Sequence, residues 1–482
     1  MVIEEMSYDI CLKAHPYWLS TLRQFALPVH LMEKLPDSYK KFIQAGLAYK
    51  KQGQLEAAQQ RFQQAQLSVN SNEDQGFGLH LQALALLTTG KVGESQTLMQ
   101  HCVALAPDCA QYHYNLGISY LLSRATGEDI AKAVTRFKQA LEAQPSLIQA
   151  HTALALIYTL ARQWQEAERM ARQAISLNPQ AGNRLVDLCL MNATYEQGLP
   201  IEGAFDFASV TVDATTQIDD ALHFLPSVEL SQLQLAQSEL PILLIVCDPN
   251  YLVKHAVPLI WSLVEVQCQY PIHLHLFNPD SHSNQIVKML QTKMAPIPLS
   301  ISFESVEVTQ YSSPSIYYSS VRFCRLYQLS LANPKTNFIM VDADVLFRNH
   351  PAKLALWDKK GDMGFTYAEY EPMWDKIAAG FIYSKATLMT SSVLSQIAVF
   401  IIDNLRKQTA RWFVDQVALF VTYQKFKSTL HVQFLPAQQC LNQDFDDDAI
   451  IWAIVNEQKQ QQNKYNEYKH YLLTKYGMLK RV

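Results

Sequence analysis

Two aspartates stand one residue apart at the end of an apolar run in the second half of the sequence. Residues 338–341 are Phe-Ile-Met-Val, and Asp342 and Asp344 follow almost at once. A buried strand accepts ionised carboxylates only where it leaves the sheet, and ligands of open α/β sheets bind at that end of the strands. Two such carboxylates suit a hard divalent cation, which could bridge the phosphates of a nucleotide diphosphate. The pattern indicates nucleotide-sugar chemistry.

A purely structural interpretation of these aspartates stays open, because Asp-x-Asp is common and strand-end aspartates often cap the next helix or turn. The neighbouring elements favour a site. Residues 241–247 predict a buried parallel strand, and Asp248 and Tyr251 follow it at the start of a helical pattern. Strands are also predicted at 273–277 and 299–306, and a helix at 319–331, so strands and helices alternate as in an α/β domain.

The first half of the chain repeats with the period of the tetratricopeptide unit. Pro145 and Pro179 are 34 residues apart, and each closes a similar helical pair. Small and aromatic residues recur in register, among them Gly46, Tyr49, Ala58, Phe62, Gly117, Tyr120, Ala133 and Phe137. Small residues allow helices to approach closely and aromatic residues fill the space between them. Residues 38–180 therefore resemble a tetratricopeptide array, for which partner binding, self-association and simple scaffolding stay open.

The composition narrows the class of protein. The 482 residues carry a net charge of −4 and 17% charged side chains, which gives no basic footprint for nucleic acid. The eight cysteines are scattered without metal-ligand spacing, so we expect reduced core residues. No basic, apolar leader opens the sequence, and no run of about 18 apolar residues predicts a transmembrane segment. These features predict a cytoplasmic protein.

The predicted fold class is multidomain, with an all-α tetratricopeptide-like array followed by an α/β domain. We expect a helical leader at 1–37, helical repeats at 38–200, a connecting segment at 201–238 and the α/β domain at 239–482. Periodicity weakens in the connecting segment, where aspartates and threonines cluster before Pro226.

The motif order in the second half resembles a GT-A glycosyltransferase, most closely glycosyltransferase family eight. The matching residues are Asp248, Tyr251, Arg322, Arg325, Asp342, Asp344, Ala379, Gly380, Asp415 and Gln416. The resemblance implies a metal-dependent transfer of a sugar from a nucleotide-diphosphate sugar to an acceptor hydroxyl, with retention of anomeric configuration. It favours a UDP-sugar as donor, with Mn²⁺ or Mg²⁺. The acceptor would be a protein, a peptide or a glycan, and the repeats would bind the acceptor or a partner.

The resemblance also implies roles for residues on the donor. Asp248 and Tyr251 would contact the nucleoside, where the alternative is an Asx turn with a packed tyrosine. Asp342 and Asp344 would hold the metal with the diphosphate. The segment with Ala379 and Gly380 would bind substrate.

Three further residues are assigned to catalysis by the same resemblance. Arg325 is matched to an arginine near the donor sugar or diphosphate, with Arg322 as the second choice; either could instead pair with a surface carboxylate. Asp415 would bind sugar hydroxyls and Gln416 would lie beside the anomeric carbon. A helix-start role for Asp415 stays open.

The chain departs from the family pattern at two positions. Ala378 stands where the family commonly has asparagine, and Ala453 stands where we expect the histidine that supplies a third metal ligand. These departures favour the alternative of a non-catalytic, repeat-based interaction protein with a degenerate glycosyltransferase domain. A haloacid-dehalogenase-type phosphatase is a further alternative, since it also combines strand-Asp-x-Asp with an acidic cluster, here at 444–448. The phosphatase is less favoured, because such enzymes carry the motif near the start of their domain. Here Asp342 and Asp344 lie about 100 residues after the expected start of the α/β domain.

Overall fold

The computed structural model describes residues 37–51, 54–67, 72–88, 90–123, 126–179, 185–228, 240–294, 297–309, 311, 313–354, 361–454 and 463–477. The chain divides into two compact units, Met1–Gly203 and Ala204–Val482. The predicted leader lies outside the described residues except for its last position.

The described part of the first unit consists of helices that pack in consecutive pairs. The helices are α1 Asp37–Lys51, α2 Leu55–Leu67, α3 Asn72–Thr88, α4 Val92–Leu105, α5 Ala110–Leu122, α6 Gly127–Ala143, α7 Ile148–Leu160, α8 Trp164–Leu177 and α9 Leu185–Glu196. Each pair from α1–α2 to α7–α8 is in close contact. The predicted helical repeat array is confirmed.

Glycine and phenylalanine explain the recurring pattern of small and aromatic residues. A Cβ atom added to Gly46 would lie 2.5 Å from Cε1 of Phe62, and one added to Gly117 would lie 2.6 Å from Cε1 of Phe137. Both phenylalanines are buried. The same close approach therefore holds the first and second helix of two different repeats together.

A histidine contact that the sequence analysis did not single out also recurs between repeats. The His113 ring nitrogen Nε2 lies 2.7 Å from the carbonyl oxygen of Pro107, and His151 Nε2 lies 2.8 Å from that of Pro145. Each ring satisfies a carbonyl in the turn before its own helix. The proline and the histidine six residues later are therefore one turn motif.

The second unit is built on a mixed seven-stranded sheet in the order β3-β2-β1-β4-β7-β6-β8. The strands are β1 Ile242–Cys247, β2 Ile272–Phe277, β3 Leu299–Glu304, β4 Phe338–Val341, β5 Val345–Phe347, β6 Met363–Phe365, β7 Phe381–Ser384, β8 Val432–Phe434 and β9 Ile451–Ala453. Strands β1 to β4 pair in parallel, and β7 pairs antiparallel with both β4 and β6. Strands β5 and β9 form a separate antiparallel pair.

The helices of this unit are α10 Ile218–Leu222, α11 Pro249–Tyr251, α12 Val257–Glu265, α13 Ser281–Lys293, α14 Pro314–Ala332, α15 Leu388–Arg406, α16 Val414–Phe426, α17 Ala437–Cys440 and α18 Asn463–Lys475. Residues Leu252–Ala256 form a π-helical segment between α11 and α12. Among the described helices, α15 is long and apolar enough to cross a membrane, but 72% of its apolar window is buried. Its apolar side chains therefore pack the interior of this unit.

Part of the predicted connecting segment belongs to the second unit. The backbone N–H of Asp206 donates to Asn404 Oδ1 at 2.8 Å, and Gln396 Nε2 donates to the carbonyl oxygen of Ser209 at 2.9 Å. Asn404, which accepts, and Gln396, which donates, both lie on α15. Residues 204–228 are thus more than a connection, because buried amides of a core helix satisfy their backbone groups.

Replacing Gly117 by alanine tests the helix contact that defines the repeat. We expect Gly117→Ala to lower the free energy of unfolding by about 1–3 kcal/mol, because the new methyl group must displace the buried Phe137 ring. Gly93→Ala is the matched control: that helical glycine has no atom within 4 Å of an added Cβ. The control is neutral or stabilising by up to about 1 kcal/mol. Urea unfolding of both variants measures the difference, and equal effects contradict the account.

Candidate functional site

The predicted strand-end carboxylates leave the sheet at one edge. Strands β1 and β4 are parallel neighbours, with Ile245 opposite Val341. Asp248 and Asp342 are the residues that directly follow these strands, and both are partly exposed. Asp344, also partly exposed, comes just before β5. The carboxyl ends of adjacent parallel strands therefore bring Asp248 and Asp342 to the same edge, and Asp344 is two residues further along the chain.

One buried arginine joins two of the predicted acidic residues. Arg322 on α14 donates from Nη1 to Asp342 Oδ1 and from Nη2 to Asp415 Oδ2, the latter at 3.1 Å. The side chains of Arg322 and Asp415 are 8% and 9% exposed, whereas that of Asp342 is 37% exposed. A guanidinium presents donors in a rigid plane, so it can bridge two carboxylates at once. Arg322 thereby holds the end of β4 against the start of α16.

The glycine of the predicted substrate segment lies against Asp342. The backbone N–H of Asp342 donates to the carbonyl oxygen of Gly380 at 3.0 Å. A Cβ atom added to Gly380 would lie 3.0 Å from Asp342 Oδ2 and from Leu441 Cδ2. Ala379 beside it is buried. The absence of a side chain at Gly380 therefore leaves room for the carboxylate.

Asp415 has both of its oxygens in use. Oδ2 accepts from Arg322, and Oδ1 accepts from the backbone N–H of Gln416 at 3.0 Å. Phe413, just before α16, has a positive φ of 75° and directs the chain into the helix. Asp415 therefore lies in the first turn of α16 without capping the helix, and its carboxylate positions Arg322. Gln416 is partly exposed beside it.

Asp248 caps the helix that follows β1. Its Oδ1 accepts from the backbone N–H of Tyr251 at 2.9 Å, and the ring centroids of Tyr251 and His255 are 4.8 Å apart. This is the Asx-type geometry that the sequence analysis kept as an alternative. Asp248 and Tyr251 remain partly exposed at the sheet edge.

Arg325, which the sequence preferred to Arg322, does not face these carboxylates. Its Nε donates to Glu304 Oε2 at 2.8 Å and its Nη2 to the carbonyl oxygen of Pro226 at 2.9 Å. The side chain is 1% exposed. The expectation that Arg325 is the arginine of the site is therefore wrong. Arg322 is the arginine at the strand ends, and Arg325 is a buried partner of Glu304.

Glu304 lies at the centre of a buried polar network that sequence reasoning missed. It accepts from Tyr317 Oη at 2.6 Å and from His275 Nε2 at 2.9 Å, in addition to Arg325. Burial lowers the pKa of His275, so this ring is neutral at pH 7. It donates a hydrogen bond to Glu304 as an uncharged ring. The available signal was polar residues in alternation on β2 and β3, at His273, His275, Ser300, Ser302 and Glu304.

The pKa of Glu304 is set by two opposing effects. Burial alone raises the pKa of this carboxyl group, but the hydrogen bonds from His275 and Arg325 and the charge of Arg325 outweigh it. The resulting pKa is about 2, below the ordinary 4.5. Glu304 is therefore ionised and paired under ordinary conditions.

The described residues contain no complete set of protein ligands for a metal ion. They contain no group of three or more His, Cys, Asp or Glu side chains that could hold a metal ion. Ala453 pairs with Val345, the residue next to Asp344, so the segment expected to carry a histidine does pass beside the acids. Mg²⁺ is commonly held by one or two carboxylates together with substrate phosphates. Asp342 and Asp344 are the two carboxylates that could take part in a site of that kind, as the sequence analysis expects.

The chain is thus a tetratricopeptide-like repeat array followed by a unit with a mixed sheet. No protein-family model matches it. Tetratricopeptide repeat protein 37 of Xenopus laevis is 29% identical over 150 residues, which are 30% of this chain and 9% of that protein. The chain therefore matches less than a tenth of the length of this relative. The sequence similarity and the helix pairing agree on the repeats.

Three solved structures show limited similarity to this chain. A thermophilic TPR protein of Thermus thermophilus has 18% identity, a TM-score of 0.28 and coverage of 33% of this chain and 83% of that one. MamA of Desulfovibrio magneticus has 18% identity, a TM-score of 0.27 and coverage of 34% and 87%. An O-GlcNAc transferase mutant of Thermobaculum terrenum has 17% identity, a TM-score of 0.26 and coverage of 52% and 40%.

Acid unfolding tests the ionised state of Glu304. Its folded-state pKa is depressed, so its stabilising effect is complete above pH 4.5 and is lost as the pH falls toward 2. We expect Glu304→Gln to cost about 3 kcal/mol of unfolding free energy at pH 7, and the difference from wild type to shrink between about pH 5 and pH 2. Urea unfolding across this range measures it. A difference that stays constant contradicts an ionised Glu304.

Removing the charge of Arg322 tests the bridge between the two aspartates. We expect Arg322→Met to cost about 3–5 kcal/mol, because Asp415 stays buried without its cation. Adding Asp415→Asn to this variant restores part of the loss. Arg406→Met is the control, since that arginine forms an exposed pair with Asp220 and its loss costs less than about 1 kcal/mol. Urea unfolding that shows equal losses at both arginines contradicts the bridge.

Proposed function

We propose that the second unit is a GT-A-type glycosyltransferase domain similar to family eight. It would move a sugar from a nucleotide-diphosphate sugar to an acceptor hydroxyl, with retention of configuration. The observation that carries the proposal is the Arg322 bridge. It joins Asp342 and Asp415, which lie in different segments of the chain, and both segments belong to the donor site that the sequence resemblance implies.

Asp342 and Asp344 would hold Mn²⁺ or Mg²⁺ in this proposal. When bound, such a cation neutralises charge on a departing diphosphate. A UDP-sugar is the donor that we favour, with Asp248 and Tyr251 on the nucleoside. Their position after β1, the strand next to β4, supports this assignment.

Arg322 supplies a fixed positive charge to the proposed reaction. A guanidinium binds phosphate oxygens in the same planar manner as carboxylate oxygens. Arg322 would therefore donate a hydrogen bond to a bound diphosphate in place of the one to Asp342. Asp415 holds Arg322 from its other nitrogen, which limits the reorganisation needed in the transition state. Gly380 leaves space beside Asp342. Gln416, which is partly exposed next to Asp415, would contact the donor sugar.

A non-catalytic interaction protein is the second candidate. It is favoured by Ala453 in the segment beside the acids and by the engagement of both Asp415 oxygens. In either case we propose that the repeats bind a protein or peptide acceptor, a partner or a second copy. The seven cysteines of the described chain are free and buried, which favours a reducing compartment such as the cytoplasm. A haloacid-dehalogenase-type phosphatase is less favoured, since the aspartates follow β4 and not the first strand.

Nucleotide binding to the full chain tests the proposal, with UDP, GDP and their common sugar conjugates as probes. We expect a rise in unfolding midpoint for one nucleotide with Mn²⁺, equivalent to about 2.7 kcal/mol at a hundredfold excess over Kd. Chelator and Asp344→Ala abolish it, whereas the exposed control Asp220→Ala does not. Slow Mn²⁺-dependent hydrolysis of the matching donor falls in parallel.

Two results separate the candidates. Metal-dependent nucleotide binding without any hydrolysis or transfer leaves the interaction protein as the better account. A wild-type protein that binds none of these nucleotides, or an Asp344→Ala variant that binds and hydrolyses like wild type, removes the proposed donor site.

A further inference from the structure

A cavity lies at the end of the short strand β5 that is opposite to Asp344. Its volume is about 480 Å³, within the size range of small-molecule sites. It is lined by the end of α12, the residues after β5 and one face of α18, namely Glu265, Val266, Arg348, Asn349, His350, Tyr468 and Tyr471. Strand β5 separates it from the donor site in sequence, since Asp344 precedes that strand and Arg348 follows it. We call it the Arg348 pocket.

Arg348 is held in place by two aromatic rings. Its guanidinium carbon is 4.4 Å from the ring centroid of Trp452 and 4.2 Å from that of Tyr468. Nη2 also donates to Asp447 Oδ1 at 3.1 Å. The side chain nonetheless remains 24% exposed. Stacking uses the faces of the guanidinium and leaves the N–H groups at its edge available. Arg348 is therefore a pre-organised donor that can form further hydrogen bonds.

His350 adds a second donor to the wall of the pocket. The backbone N–H of Ala352 donates to His350 Nδ1 at 3.0 Å, which places the ring proton of the neutral tautomer on Nε2. Burial lowers the pKa of His350, so the neutral ring prevails at pH 7. Nε2 is therefore a hydrogen-bond donor.

The acceptors of the pocket are already in use. The Glu265 carboxylate accepts from Lys475 Nζ at 2.7 and 2.9 Å, from Tyr471 Oη at 3.1 Å and from Tyr476 Oη at 2.9 Å. Asn349 Oδ1 accepts from Lys353 Nζ. A cationic ligand would have to displace these bonds, whereas an anionic ligand meets donors that have capacity left.

We propose that the Arg348 pocket binds a small molecule that carries a phosphate or carboxylate group. The anion would accept from Arg348 and His350. The ring of Tyr471, which is 44% exposed, would cover the less polar part of the molecule. This assignment is independent of the donor site and of the proposed transferase activity.

Isothermal titration of the full chain tests this proposal, with glucose 6-phosphate, glucuronate and uncharged glucose as probes. Chelator is present, and the titration is repeated in Asp344→Ala to remove any contribution from the donor site. We expect both anions to bind and glucose to bind roughly tenfold or more weakly. Arg348→Gln weakens the anions by about tenfold or more. Arg406→Gln, an exposed arginine elsewhere in the same unit, leaves them unchanged.

A pair of variants next to Arg348 keeps the test decisive if Arg348→Gln does not fold. Glu265→Gln removes the negative charge and is expected to maintain or tighten anion binding. Lys475→Gln removes the cation that offsets the Glu265 carboxylate. This variant is expected to weaken anion binding. The proposal is overturned if neither anion binds, if glucose binds as tightly as its phosphate, or if Glu265→Gln weakens the anions and Lys475→Gln does not.

Discussion

The second unit depends on the neutralisation of two buried guanidinium groups on one helix. Helix α14 carries Arg322 and Arg325, and a buried charge is tolerated only with a well-placed partner of opposite sign. Glu304 at the end of β3 neutralises Arg325, whereas Asp342 after β4 and Asp415 in α16 neutralise Arg322. These pairs fix the helix relative to both β3 and β4. The strand end with the proposed metal ligands is therefore positioned by the same helix that closes the core.

This arrangement sets the charge balance of the proposed donor site. Asp342 and Asp344 are two carboxylates without a third protein ligand among the described side chains, and Arg322 already offsets part of their charge. A cation alone would find a weak site there, because hard cations need several oxygen ligands. A nucleotide diphosphate alone would meet carboxylates as well as the guanidinium. If the proposal holds, each ligand improves the site for the other, so metal and nucleotide bind with positive cooperativity.

Much of the fold could be predicted from local patterns, and the rest depends on contacts between distant segments. The carboxylates after β4 and the glycine–phenylalanine pairs of the repeats follow from residue type and spacing alone. Arg322 and Arg325 are one helical turn apart, so spacing could not decide which of them meets Asp342. That choice depends on Glu304, which is 21 residues from Arg325. The three-residue strands β5 and β9 were not predicted for the same reason, since each is formed by its partner.

Anomalous diffraction at the manganese edge, from crystals of the full chain with UDP and Mn²⁺, tests the central claim most directly. The account predicts a manganese peak in coordination distance of Asp342 and Asp344 and of the nucleotide phosphates, with Arg322 beside them. A fully occupied nucleotide with no manganese at these aspartates would contradict it. A manganese peak at the 444–448 acidic cluster, with Asp342 and Arg322 still paired, would contradict it equally.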